Sequence, residues 1–528
     1  MGSADESVQV HQVLRNNDIL REIFQTFSIS KGDARDLLQS ACVCKAFSEH
    51  ALDALWREPP NVLPLLKLLK ETIVRASPRV GQSPLYVIQG LIAVNDFRRL
   101  QLYARRIHRL DIELSRGRIA PSVFIMLSHF ARGKPLFPSL LRLRWSQAQS
   151  FGTELLAFMS PSLAAIKITS TAALSEDRDC TLESLIGFLV SETPHLKHLT
   201  LRHHVVHSSS IEYLAHFKDI RTLEIDCPVS AQSVTAHLSH LSKLKGMTIR
   251  LTALEVGDYQ GPNAVFQSLD SLELRQGSVS GAIHVLQAAM FSPLLHHFAV
   301  VALPLIRSLP KLHTLLTILS LPGENSSLRS VFIDCRPTKG TFGANTRIVN
   351  IIQPLLRLRK LEEICVCLEH RKIQLQDDDI RDMAASWPHL QKLTVYQGTF
   401  TSPRACLSSL LHFSIGCPHL TTLDLPGMKI GNLSSLVFEE VPVLSHGLQT
   451  LEFRMDSSER SSLKIRQCAR FLDRLFPGLQ KCRSHQEGDH NQDEGGNRDN
   501  RALEISDLLL DLQSSRAEQV RRDAKPQL

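Results

Sequence analysis

The sequence predicts an α/β fold, a repeat solenoid of short strands and helices preceded by a small three-helix module. Three observations predict it. A phrase of the form Φ-x-x-Φ-x-Φ, with Φ apolar, recurs between residues 107 and 482. The segments between its copies carry helical periodicity, and residues 10–70 carry that periodicity without the phrase. Leucine makes up about 16% of the 528 residues, a bias that suits such an array. Length alone would suggest three or four domains, but a repeat array overrides that prior.

Composition excludes several function classes. Hydrophobic residues at 43% and charged residues at 21% are ordinary values and exclude a wholly disordered chain. A net charge of +7 spread over 528 residues is too weak an excess to argue for nucleic acid. The 11 cysteines form no C-x-x-C pair; the close pairs Cys42/Cys44 and Cys365/Cys367 are each split by one residue. That usage implies a reducing compartment, the cytoplasm or nucleus. MGSADESVQV is acidic and lacks the apolar run of a secretory signal, and Glu6 stands where a myristoylation motif needs Ser or Thr. The longest stretch free of Asp, Glu, Lys and Arg, between Arg275 and Arg307, contains three histidines and two prolines, so no membrane association is expected.

The phrase appears as IHRLDI (107–112), LLRLRW (140–145), LAAIKI (163–168), LKHLTL (196–201), IRTLEI (220–225), LKGMTI (244–249) and LDSLEL (269–274). It continues as LHHFAV (295–300), LRSVFI (328–333), LEEICV (361–366), LQKLTV (390–395), LTTLDL (420–425) and LQTLEF (448–453), with a degraded LQKC at 479–482. Its second Φ falls on Leu110, Leu143, Ile166, Leu199, Leu223, Met247, Leu272, Phe298, Val331, Ile364, Leu393, Leu423 and Leu451. These markers are 23 to 33 residues apart, about 28 on average. The alternation at the end of each phrase fits a short half-buried strand, and segments such as LESLIGFLV (182–190) fit helices. One strand and one helix cannot bury their apolar faces alone, whereas a stack of them makes a continuous core. A doubly wound α/β domain would need longer apolar strands and a glycine-rich phosphate turn, and neither is present.

This spacing sits near the upper end of the leucine-rich-repeat range and is longer and less regular than a tidy array, and the turns TPHL (193–196), WPHL (387–390) and CPHL (417–420) resemble openings of the cysteine-containing repeats of F-box proteins. The residue three after the last Φ is Pro228, Glu369, Gly398 or Met428 rather than Asn or Cys, so an irregular array is expected.

Residues 10–70 read as helices. After the capping candidates Asn16, Asn17 and Asp18, the residues Ile19, Leu20, Ile23, Phe24 and Phe27 paint one wide apolar face. Asp33 opens a second helix with Leu37, Leu38, Ala41, Cys44 and Phe47 on its apolar side, and a third carries Ala51, Leu52, Leu55 and Trp56 before Pro59-Pro60. Three such helices bury too little surface to stand alone and must lean on the repeats or on another protein.

The string VLRNNDILREIFQTF…DLLQSACVCKAFSEHALDALWR (13–57) resembles an F-box domain of the kind abundant in mushroom-forming fungi. The matching parts are Ile19, Leu20, Ile23 and Phe24, then Val43-Cys44-Lys45, then Leu55-Trp56. The family's opening Leu-Pro is Leu14-Arg15 here, and Phe47 stands where Trp is commoner. The resemblance implies docking onto the Skp-type adaptor, and through it a cullin, of an SCF ubiquitin ligase. Leu14, Ile19, Leu20, Ile23, Phe24, Val43, Cys44, Phe47, Leu55 and Trp56 would make that contact, while the repeats hold an unidentified protein substrate. The chain itself would do no bond chemistry. A repeat scaffold without a ubiquitin link is the alternative, with the helices serving as a solenoid cap.

Other groups have plainer readings. His195, His198, His203, His204 and His207 lack matching Cys or carboxylate ligands and read as exposed polar residues, so no metal or other cofactor is expected. Asp377, Asp378 and Asp379 suit a helix start. Arg98, Arg99, Arg105, Arg106 and Arg109 form a basic stretch without interleaved aromatics beyond Phe97 and Tyr103, and read as a solvated helix face. No nucleophile elbow, P-loop or zincin pattern occurs, so no enzyme is expected. Substrate contact is expected on the concave strand face, at His198, Arg202, Glu224, Asp226, Arg250, Arg275, Asp334, Lys392 and Tyr396. The predicted organisation is a helical module at 10–70, a linker helix at 71–95, a solenoid at 96–482, a disordered segment at 483–500 and a short amphipathic helix at 501–522.

Overall fold

Every copy of the phrase ends in a β-strand in the computed structural model. It describes residues 16–27, 32–76, 85–113, 119–147, 153–170, 180–202, 208–252, 265–305, 309–323, 326–337, 346–368, 373–397, 405–431, 446–454, 462–485 and 500–523. The chain divides into two compact units: Met1–Val229 with His240–Leu244, and Ser230–Ser239 with Lys245–Leu528.

The first unit opens with helices α1 (Asn17–Gln25), α2 (Ala34–Ala41) and α3 (Lys45–Arg57). Asn16 caps α1, its side chain accepting from Asp18 N at 2.9 Å and Ile19 N at 3.4 Å. Leu20, Phe24, Leu37, Ala51 and Ala54 form a core of the module's own, with Phe27, Ala41, Ala46, Phe47 and Leu55 packed against it. The break between the second and third helices falls earlier than the periodicity suggests. α2 stops at Ala41, Cys44 is the extended N-cap of α3, and Phe47 lies inside α3. The expected linker helix at 71–95 is instead an antiparallel pair, β1 (Ile73–Ala76) with β2 (Leu85–Ile88), followed by a helix starting at Val94. Ile73, Val74, Tyr86, Val87 and Ile88 are β-branched or aromatic, and their strand preference governs there.

Five parallel strands follow: β3 (Arg109–Glu113), β4 (Arg142–Gln147), β5 (Ala165–Ser170), β6 (His198–Arg202) and β7 (Thr222–Val229). Their register pairs Leu110, Leu143, Ile166, Leu199 and Leu223 in one row. These are the second-Φ markers, so the repeat read from sequence is the repeat of the backbone. All five are buried, and burial alternates along each strand.

The second unit repeats the scheme in nine parallel strands: β8 (Gly246–Leu251), β9 (Ser271–Arg275), β10 (His297–Leu305), β11 (Ser330–Pro337), β13 (Glu363–Leu368), β15 (Lys392–Gln397), β16 (Thr422–Asp424), β17 (Thr450–Arg454) and β18 (Lys481–His485). The short strands β12 (Thr346–Arg347) and β14 (Ile373–Gln374) pair with each other. One register row runs Met247, Leu272, Phe298, Val331, Ile364, Leu393, Leu423, Leu451 and Cys482. Strand–helix units of this length in parallel register make both units leucine-rich-repeat folds. Arg483–His485, expected to be disordered, belong to β18, while 486–499 lie outside the described residues. The expected C-terminal helix spans Asn500–Asp523 and buries Ile505 and Leu509.

A second buried row compensates for the missing Asn or Cys after the strand. Three residues before the first Φ stand Phe137, Ser160, Thr193 and Phe217 in the first unit, and Phe266, Ser292, Trp387, Cys417 and Phe476 in the second. Its polar members bond to carbonyls. Ser292 Oγ donates to Leu269 O at 2.8 Å, Trp387 Nε1 to Leu355 O at 3.1 Å and Cys417 Sγ to Trp387 O at 3.3 Å. Among the described residues no helix is long and apolar enough to cross a membrane.

Candidate functional site

Two surfaces carry the residues singled out by sequence. On the helical module those residues divide by burial. Leu20 and Phe24 lie in the core, where Phe47 meets the Phe24 ring edge-on at 5.6 Å, so neither is open to a partner. Leu55 packs on the same core, and Trp56 packs against Tyr103 with ring centroids 4.9 Å apart and the ring planes tilted by 46°. Among the described residues of the module the exposed large apolar side chains are Ile19, Ile23 (42% exposed), Leu38 (54%) and Val43 (68%), with Cys44 exposed beside Val43. Leu14 lies outside the described residues. Leu38 was read only as part of an apolar helix side. Adjacent helix residues lie about 100° apart and can both be buried, as Leu315 and Leu316 are, so the sequence held no signal that Leu38 is exposed.

α3 is tied to the first repeat by charge. Arg106 bonds to both Glu49 and Asp53, Arg109 Nη1 lies 2.7 Å from Glu58, and His108 N donates to Arg57 O at 2.9 Å. Two members of the sequence's basic stretch are thus joints rather than a solvated face.

The nine strand-face residues do not form one site. In the first unit, Arg202 lies 2.9 Å from Glu224 and 3.9 Å from Asp226, Thr200 also donates to Glu224, and His198 Nδ1 lies 2.7 Å from Thr222 Oγ1. Burial, then Arg142, Arg221 and Lys197, hold the His198 imidazole below its usual pKa. In the second unit, Arg250 donates to Gln276, Arg275 pairs with Glu273 at 2.7 Å, and Lys392 pairs with Glu363 at 2.6 Å. Asp334 accepts from Ala302 N at 3.1 Å, where β10 shifts register and Ala302 has φ +55°, so it serves that irregular turn of backbone. Tyr396 pairs in register with Cys367, whose thiol lies 3.6 Å from that of Cys365. The Cys367 thiol and burial push Cys365 far above the ordinary thiol range, which opposes thiolate chemistry.

The sequence reading missed a cluster of cations. The register sets Arg142 beside Ala165 and Ala165 beside His198, with Arg144 beside Lys167, all on the outward face of β4–β6. Lys197 and Arg221 flank them, exposed, at the starts of β6 and β7. Arg144 reaches Asp111 at 3.7 Å with both exposed, a weak pairing. Among the described residues Arg142, Lys167, Lys197 and Arg221 have no side-chain partner. His195 bridges to Asp219 at 3.3 Å; 203–207, with the other three of the five histidines except His198, lie outside the described residues. Among the described residues no group of three His, Cys, Asp or Glu side chains could hold a metal.

No family model matches the chain, and no curated protein does. Among solved structures, an internalin (InlF) of Listeria monocytogenes has 15% identity and a TM-score of 0.38, over 74% of this chain and 89% of that one. The TLR13–ssRNA13 complex has 12% identity and a TM-score of 0.35, over 72% of this chain and 47% of that one. The leucine-rich-repeat fold of this chain stands on its own strand register.

Proposed function

We propose that the chain is a substrate-recruiting adaptor of an SCF-type ubiquitin ligase. Its helical module docks on a Skp-type adaptor joined to a cullin, and its strand faces hold the target protein. The observation that carries this reading is the module itself. It has a private core, yet it leaves Ile19, Ile23, Leu38 and Val43 uncovered on its surface. A helical cap serving only the repeats would turn its apolar groups toward them. Exposed apolar side chains on short helices are the material of partner interfaces. In this reading the chain does no bond chemistry; it raises the effective concentration of a target beside a catalytic partner.

A scaffold without a ubiquitin link is favoured by one observation, the ties of Trp56, Arg106 and Arg109 that seat α3 on the first repeat as a cap would sit. Co-purification of the full chain with a Skp-type adaptor separates the two. Binding by the wild type, lost in Ile23→Asp/Val43→Asp, supports the adaptor role. A wild-type chain that retains no Skp-type adaptor makes it a scaffold.

A further inference from the structure

The outward face of β4–β6 carries a charge arrangement unlike its surroundings. Among the other strand-face cations, Arg202, Arg275 and Lys392 have a carboxylate close by at 2.9, 2.7 and 2.6 Å, and Arg250 has the Gln276 amide. Arg142, Lys167, Lys197 and Arg221 have none among the described residues, and Arg144 has only a distant one. Holding like charges together without partners costs stability, and a counter-charge from outside relieves that cost.

We propose that this face binds an acidic, extended polypeptide segment of a partner protein. Three features argue for that occupant. The cations run from β4 to the start of β7, three strand spacings or about 14 Å, a width that an extended segment of four or five residues spans and a single small anion does not. Ala165 sits between Arg142 and His198 in register, so a small side chain floors the middle of the cluster and leaves room for carboxylates above it. The outward residues of β3–β7 include no Phe, Tyr or Trp on which bases would stack, and Asp111, Glu113, Glu224 and Asp226 flank the cations. A long phosphate backbone would be repelled at both sides, whereas a short acidic segment fits between them. Guanidinium forks at Arg142, Arg144 and Arg221 suit carboxylate pairs.

The inference rests on the strand face being the target-binding surface, and not on the link to ubiquitin. The test is fluorescence anisotropy with the full chain and a labelled ten-residue Glu/Ser peptide, its Gln/Ser counterpart, and a single-stranded oligouridylate of equal charge. The acidic peptide should bind, the Gln peptide should not, and raising salt from about 50 to 300 mM should weaken binding steeply. Arg142→Glu/Lys197→Glu should weaken it at least about tenfold, and the milder Arg142→Ala/Lys197→Ala in the same direction, with a thermal unfolding midpoint that is not lowered. Acidic-peptide binding that is absent, or indifferent to these substitutions, overturns the proposal. Tighter binding of the oligouridylate overturns it in favour of nucleic acid. The Arg142→Glu/Lys197→Glu chain should still co-purify with whatever the helical module binds, so failure of one reading leaves the other measurable.

Discussion

Replacing Phe24 and Ile23 in turn separates the core of the helical module from its surface, because the two residues are neighbours with opposite fates. Phe24 is buried, with ring contacts to Phe27 at 6.0 Å, Phe47 at 5.6 Å and His50 at 6.5 Å. Truncating such a side chain to Ala costs about 3–5 kcal/mol. A core built from Leu20, Phe24, Leu37, Ala51 and Ala54 is too small to hold more than about that much in reserve. Phe24→Ala should therefore melt residues 16–57 while the repeats remain folded. Ile23 points outward, and Ile23→Asp should change stability by about 0.5 kcal/mol or less. Hydrogen exchange over residues 16–57, run beside adaptor co-purification, reads both. Phe24→Ala is expected to lose protection and adaptor together, and Ile23→Asp to lose the adaptor alone. Full adaptor binding by Ile23→Asp would refute the exposed face as the contact, and retained protection in Phe24→Ala would refute the core.

Three further outcomes follow from the repeats. Gly277 has φ +85° and a Cβ there would lie 2.4 Å from Leu251 Cβ, so Gly277→Ala should cost about 2–4 kcal/mol by urea unfolding; a change below about 1 kcal/mol would contradict the close approach. Trp387→Phe keeps an aromatic ring but leaves a void and strips the donor from Leu355 O, and should cost about 2–4 kcal/mol, detectable as a lowered unfolding midpoint. Burial holds the His446 imidazole below its usual pKa, against the opposing hydrogen bond to Cys417 O. As pH falls below about 6.5 the unfolded chain takes up a proton before the folded one, so stability is full above that value and drains toward the folded pKa. His446→Gln should flatten that part of the stability–pH curve, and an unchanged slope would exclude His446 as its source.

The repeat was legible because its signal is local. Leu110 and twelve equivalents mark themselves within six residues of sequence, and the register rows reproduce them. Positions decided by distant packing were not legible. Cys42-Val43-Cys44 continues an apolar helical period, yet the chain turns there to fold α3 back on α1 and α2. Ile73–Ala76 and Leu85–Ile88 carry strand-forming residues, but the antiparallel partner that completes each of them is not visible in its own local pattern. Ile23 and Phe24 differ in burial through the direction each leaves one helix, which periodicity alone left as a single wide face. Arg142, Lys167, Lys197 and Arg221 are far apart in sequence and become neighbours only when β4–β7 align. The helical module was legible as a region, and the division of its apolar residues into buried and exposed was not.

The C-terminal helix has a consequence beyond packing. In register-aligned parallel strands, each strand presents the same backbone pattern to the next, so nothing intrinsic stops the series at β18. An exposed terminal strand invites pairing with any extended chain, a second copy of this one included. Here the hydroxyl of Ser506 donates to Cys482 O at 2.7 Å and the amide of Gln513 to Leu479 O at 2.9 Å, while Arg516 holds Asp473. One carbonyl of β18, that of Cys482, and that of Leu479 just before the strand are taken by side chains, which cannot pass the pattern on. The helix thereby acts as a chain terminator against edge-to-edge polymerisation, and a protease that severed it would turn a finite array into one with a sticky end.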